Sequence, residues 1–177
     1  MVFAGLFNNI GCMQYRDGNI TGAKKSFGKA LKIGKNTLRP SSGDYKSKMI
    51  EGYKHVGTIY YNIGSTNARL GLEDEVMRPL ECSLGLQKVA LGESHPDIVN
   101  IQHSIGLVLM GVGQWSGAMK AFMECLSTVR FVFGNDDHQV AKELFHLGKI
   151  HEMKGEYNEA LHVYEETLRI ERLTLGV

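Results

Sequence analysis

The sequence predicts an all-α protein, and three observations lead to that fold class. Only three of its 177 residues are proline while 21 are glycine, which permits long helices that end at defined points. Apolar residues recur at intervals of three and four, for example from Val140 to Met153, as they do on one face of an amphipathic helix. A set of small and aromatic residues also recurs along the chain at a fixed spacing.

That internal repeat determines the predicted order of the elements. Three copies follow one another at an offset of 42 residues, and the first copy lies 53 residues before the second, so eleven extra residues separate these two. We therefore predict one array over residues 1–177. The predicted repeats are at about 4–37, 57–90, 99–132 and 141–174, with an insertion and an extended helix start at 38–56.

Each copy predicts two antiparallel helices. In the fourth copy the first helix runs from Val140 to Met153 and stops before Gly155, because glycine readily adopts the positive φ that ends a helix. The second helix runs from about Asn158 to Leu173. A small residue at Gly148 lets the two helices approach closely, and a large aromatic residue on the second helix is expected opposite it.

The insertion between the first two copies predicts a turn followed by an unusually long helix. Arg39 to Gly43 has the composition of a turn, and Asp44 is suited to cap a helix that continues to about Arg69. Such a helix would be roughly 39 Å long at 1.5 Å per residue.

The repeated positions resemble the tetratricopeptide repeat, whose pattern is a Leu-Gly pair, a later glycine, and then alanine, an aromatic residue and alanine. The first copy matches with Ile10-Gly11, Gly18, Ala23, Phe27 and Ala30, and the fourth with Leu147-Gly148, Gly155, Ala160, Tyr164 and Thr167. The usual repeat has about 34 residues. The longer spacing, the connector Leu91–Asp97 and the helix Leu6–Tyr15 are similar to the kinesin light chain type.

This resemblance implies a right-handed superhelical solenoid of about eight helices in four antiparallel pairs. It also implies a scaffold that binds a peptide segment of a partner protein in a concave groove lined by the first helices. Asparagine amides donate and accept hydrogen bonds, which suits a peptide main chain, and the groove cations favour an acidic ligand. The implied groove residues are Asn8, Asn9, Arg16, Tyr61, Asn62, Arg69, His103, Lys142, Phe145, His146 and Lys149.

Composition and spacing weigh against several other classes of protein. No apolar stretch reaches the ~18 residues of a membrane span, and Met1–Phe7 lacks the basic residues that begin a signal peptide. The three scattered cysteines indicate reduced thiols and a cytoplasmic protein. His146 and His151 are five residues apart and do not share a helix face, so we expect neither a metal nor a cofactor. No nucleophile has an evident catalytic partner, so we expect no enzyme activity and no catalytic residues.

The net charge of +1 does not indicate a globally basic nucleic-acid binder, yet the charge is uneven. Residues 20–54 hold nine lysines or arginines against two acids, a net of +7 that leaves −6 for the remainder. Binding of RNA or another polyanion through this segment is therefore the alternative function, and an ordinary solvated face is the other explanation.

The C-terminal end of the predicted array lacks a polar capping helix. Val163, Leu173 and Leu175 have no following repeat to cover them, whereas Leu161 and Leu168 are expected to pack within their own helix pair. We therefore expect either a longer array or self-association through this end. A head-to-tail contact with the basic second helix and a symmetric apolar contact are both allowed.

Overall fold

The computed structural model describes residues 2–38, 45–93 and 95–176. These residues form eight α-helices and one 3₁₀ turn at Glu73–Glu75, and no strand occurs among them, which confirms the all-α prediction. The helices are α1 (Val2–Arg16), α2 (Ile20–Thr37), α3 (Tyr45–Arg69), α4 (Met77–Leu91), α5 (Pro96–Gly111), α6 (Trp115–Phe133), α7 (His138–Lys154) and α8 (Tyr157–Leu175).

The chain divides into two compact units, residues 1–98 and 99–177. The first unit holds α1 to α4 and the start of α5, and the second holds the rest of α5 with α6 to α8. The single array over residues 1–177, with the repeat bounds given above, stays a prediction.

In the first unit α1 pairs with α2 and α3 pairs with α4, while α2 also packs against α3. The predicted close approach occurs at Gly11, where a Cβ atom would lie 2.5 Å from Cε1 of Phe27, a ring that is buried. The long helix is confirmed, since α3 has 25 residues and ends at Arg69. The predicted turn at 39–43 and the cap at Asp44 lie outside the described residues.

The second unit repeats this packing. A Cβ atom on Gly148 would lie 2.5 Å from Cε1 of Tyr164, and one on Gly106 would lie 2.7 Å from the ring of Phe122. Gly155 ends α7 in the left-handed conformation at φ 78°, as predicted. Three of the four helix pairs thus meet at a glycine on the first helix and an aromatic ring on the second, whereas in the α3–α4 pair Gly64 meets Leu80.

The C-terminal helix differs from its prediction at two positions. Leu161 and Leu168, predicted to pack within their own pair, are exposed, because the ring of Tyr164 and the neighbouring small residues fill the contact with α7. Leu173 is exposed as expected, but Phe131, its counterpart 42 residues earlier, is exposed as well although another helix follows it. Leu173 is therefore exposed because of its position within the repeat, and not because α8 lacks a following helix.

Candidate functional site

In the first unit, α1 and α3 bring two of the predicted asparagines together. Asn62 Nδ2 donates a hydrogen bond to Asn8 Oδ1 at 2.9 Å, and Asn8 is buried. Asn9, one residue along α1, is exposed instead. The Asn8–Asn62 pair therefore ties the two first helices to each other, while the amide of Asn9 faces solvent.

Beside this pair, the first unit contains a cavity of about 210 Å³. The predicted residues Arg16, Tyr61 and Asn62 all line it. Ser65 also lines it, and its Oγ is buried without a hydrogen-bond partner among the described residues. The cavity is also lined by Cys12, Tyr15 and Phe27.

Arg69 lies at the end of α3 and is exposed, like Arg16. Its Nη1 donates to the Tyr15 carbonyl oxygen at 3.2 Å, and its guanidinium carbon lies 4.6 Å from the centre of the Tyr15 ring. This cation–π contact and hydrogen bond hold the positive charge of Arg69 next to a residue that lines the cavity.

In the second unit, the predicted residue His103 pairs with a buried acid. His103 Nδ1 lies 2.8 Å from Oε1 of Glu143, and both side chains are nearly inaccessible to solvent. The Cys125 thiol, which donates a hydrogen bond to the Val99 carbonyl oxygen at 3.4 Å, lies near this carboxylate, and burial together with the negative charge of Glu143 raises the pKa of that thiol well above its usual range. Cys125 is therefore a protonated packing residue and not a nucleophile.

An aromatic cluster surrounds this pair. The ring of His146 stacks on Phe122 with centroids 4.9 Å apart, and it meets His103 edge-on at 5.1 Å. Phe145, which is partly exposed, lies 5.6 Å from His146, and Lys149 Nζ lies 5.7 Å from the Phe145 ring. The structure thus brings His103, Phe145, His146 and Lys149 together in one cluster, in which His103 is buried while Phe145, Lys149 and the neighbouring Lys142 of α7 are exposed.

Burial, together with repulsion from His103, Lys142 and Lys149, lowers the pKa of His146 to about 4. Nδ1 of His146 is buried and has no hydrogen-bond partner within the described part of the chain. At neutral pH the imidazole of His146 is therefore uncharged, whereas Lys142 and Lys149 beside it are exposed cations.

The stability of the fold is expected to fall as the pH is lowered from about 6.5 towards 4, because the unfolded chain takes up a proton on His146 before the folded chain does. His146→Phe should keep the stack on Phe122. It should also remove about 2 kcal/mol of the unfolding free energy that the wild type loses in acid, a figure reduced because the His146 side chain is partly exposed to solvent. Urea unfolding at several pH values measures the effect, with the exposed His162→Phe as control. Equal acid sensitivity of wild type and His146→Phe would contradict the assignment.

Sequence reasoning missed Glu143, although a signal for it exists. The equivalent positions of the other repeats hold Leu6, Ile59 and Ile101, so this acid is the exception at an otherwise apolar position. An isolated acid in a core position indicates a buried polar partner, and His103 supplies it.

The basic segment of residues 20–54 is partly engaged within the first unit. Lys24 Nζ lies 2.9 Å from Glu75 Oε2, and Lys29 and Lys35 lie over the rings of Phe7 and Tyr60. Other basic residues of the segment are exposed, namely Lys25, Lys32, Lys48 and Lys54. The side chains of Arg39 and Lys46 lie outside the described residues.

Within the described ranges, no group of three histidine, cysteine or acidic side chains is placed to hold a metal ion. Over the same residues, no helix combines the length and the apolar character needed to cross a membrane.

A tetratricopeptide repeat family model matches residues 97–172 of this chain. The clustered mitochondria protein homolog of Emericella nidulans is 23% identical over 146 residues, which are 82% of this chain. Those residues correspond to only 11% of that relative's length.

Solved structures extend the likeness of fold over nearly the whole chain. BtubC (BKLC) from P. vanneervenii has a TM-score of 0.75 at 16% identity, over 98% of this chain and 65% of that one. TPR-like repeats of a P. anserina kinesin light chain have a TM-score of 0.56 at 15% identity, over 97% and 95%. The Rap conjugation gene regulator of plasmid pLS20, solved with the Phr* peptide, has a TM-score of 0.51 at 22% identity, over 97% and 42%. Residues 97–172 thus match the tetratricopeptide repeat family, and the solved structures show that nearly the whole chain has the fold of such repeat proteins.

Proposed function

We propose that this chain is a non-enzymatic scaffold that binds a peptide segment of a partner protein on the surfaces of its first helices. The observation that carries the proposal is the 210 Å³ cavity of the first unit, which is lined by the cation Arg16, by aromatic rings and by the polar residues Asn62 and Ser65. These are the groups that hold a peptide side chain and its neighbouring main chain. The Rap regulator solved with the Phr* peptide supports the same use of this fold.

The ligand that suits these surfaces is an acidic peptide. Arg16 and Arg69 are exposed in the first unit, and Lys142 and Lys149 are exposed in the second. Glu152 belongs to the same helix face as the two lysines, but its carboxylate accepts a hydrogen bond from the Tyr164 hydroxyl at 2.9 Å. Each unit therefore offers two exposed cations to an acidic ligand.

The double substitution Asn9→Ala and Arg16→Ala is expected to weaken peptide binding by about 1–3 kcal/mol, or roughly 5- to 150-fold in Kd. Both side chains are exposed, so the melting temperature should change little. Asn62→Ala is less suitable, because it also breaks the bond to Asn8. Acidic peptides selected from a displayed library against the wild-type chain serve as the probe, and fluorescence anisotropy gives their Kd.

The matched control is the double substitution Lys25→Ala and Lys32→Ala, which removes two exposed cations from the second helix α2. Peptide affinity should survive this change. If the α2 variant loses affinity and the α1 variant keeps it, the peptide does not bind at the first helices. Retention of the wild-type chain on a homopolymeric RNA near 0.15 M salt, lost in the α2 variant, would favour the alternative of polyanion binding through residues 20–54.

We also propose that the chain associates with itself through its C-terminal end and that it works in the cytoplasm. Support for self-association comes from α8, where Leu161, Leu168 and Leu175 are exposed at intervals of seven and so lie along one side of the helix. Support for the compartment comes from the three cysteines, which are all free.

A further inference from the structure

An exposed apolar row runs along α1. Phe3, Leu6, Ile10 and Met13 are spaced by three, four and three residues, so their side chains share one face of the helix. Their exposed fractions range from 45% to 71%. Four large apolar side chains that face solvent together are typical of a surface that binds another protein.

The same face is buried on the first helices that follow within the chain. Val56 and Ile59, the counterparts of Phe3 and Leu6 in α3, are buried. Helix α2 covers them, since a Cβ atom on Gly34 would lie 3.0 Å from Cγ2 of Val56. This face of a first helix is therefore the one on which the second helix of the preceding repeat packs.

The second unit shows the same arrangement. Val140, Glu143 and Ile150 are the counterparts of Phe3, Leu6 and Met13 in α7, and all three are buried. Helix α6 packs on α7, where Phe122 stacks on His146. Two junctions inside the chain, the α2–α3 and α6–α7 contacts, thus bury the face that α1 leaves exposed.

Helix α8 displays the other half of such a junction. Leu168 is 55% exposed, whereas Leu126, its counterpart in α6, is only 8% exposed beside α7. Around Leu168 lies a depression of about 460 Å³, lined also by Leu173, Glu165 and two arginines. Leu168 of α8 therefore leaves exposed the position that Leu126 of α6 buries beside α7.

We propose that α8 of one copy of this chain packs on α1 of a second copy, head to tail. This inference rests on the proposed self-association and identifies the exposed face of α1 as the surface that binds α8. A second copy is the occupant because one chain displays both halves of a junction that it forms twice internally. Such a contact joins two different surfaces, so each copy keeps one free end and the assembly grows with concentration.

One side chain makes this junction weaker than the internal ones. Glu171 occupies the position of Gly34 in α2 and of Val129 in α6, and its carboxylate lies 2.9 Å from Nδ1 of His138. Docking would partly bury this acid beside the start of α1. Lys54 and Glu51 both line a depression with Val2 at that place, so this depression offers no net opposite charge. We therefore expect a reversible contact.

Analytical ultracentrifugation of the wild-type chain over a concentration series tests the proposal with two variants. Leu6→Glu blocks the α1 face and Leu168→Glu blocks the α8 face, and both replace exposed residues, so the fold should persist by circular dichroism. The wild type should form dimers and longer species. Each variant alone should associate at least tenfold more weakly, and an equimolar mixture of the two should form a dimer and nothing larger.

The mixture separates head-to-tail association from the other arrangements. If Leu6→Glu still dimerises as well as the wild type, the contact joins two α8 ends, which overturns the head-to-tail proposal and leaves self-association intact. A wild-type chain that stays monomeric at the highest concentration overturns both, while the peptide affinity is measured separately. Val89→Glu, at an exposed position of α4, should associate like the wild type.

Discussion

Replacement of His103 by leucine is expected to lower the free energy of unfolding by about 3–5 kcal/mol. His103 Nδ1 lies 2.8 Å from the Glu143 carboxylate, whose side chain is 3% exposed. Leucine would leave that acid in the interior without its partner, and an uncompensated buried carboxylate is costly. Urea unfolding at neutral pH measures the loss.

Removal of the other member of the pair, Glu143, provides the control. Glu143→Leu restores the apolar residue that Leu6, Ile59 and Ile101 supply at the same position of the other repeats, so it should cost far less than His103→Leu. The double variant should also be near the wild type, because it removes both polar partners together. Equal losses from the two single variants would show that the contact, and not the buried charge, determines stability here.

The fold was predictable from the sequence because its determinants are local and repeated. Gly11 with Phe27 and Gly148 with Tyr164 stand at fixed spacings within one helix pair, so counting along the chain finds them. Gly155 likewise reveals the end of α7 by itself. The length of α3 followed from the extra residues between the first two copies.

The candidate site was less predictable because its contacts join different repeats. Nothing in the sequence near Asn62 shows that its amide bonds Asn8 instead of facing a ligand, since the two residues are 54 apart. The stack of His146 on Phe122 depends in the same way on how α6 and α7 pack. The sequence predicted which residues lie on the first helices. Which of these residues contact one another depends on the distances between helices, and these only the structure provides.

The second large effect is expected from Gly11→Ala in α1, which should destabilise the chain by about 1–3 kcal/mol. The added Cβ would lie 2.5 Å from Cε1 of Phe27. That ring is buried, so it has no room to move aside, and α1 and α2 must separate instead.

Gly28→Ala in α2 is the matched control, because Gly28 is exposed and a Cβ there meets no atom within 4 Å among the described residues. Alanine at this site should stabilise the helix by about 0.5–1 kcal/mol, since it restricts the unfolded chain without a clash. Opposite signs for two identical substitutions in one helix pair would show that close packing on Phe27, and not helix propensity, requires the glycine of the repeat. A Gly11→Ala chain as stable as the wild type in thermal unfolding would contradict that explanation.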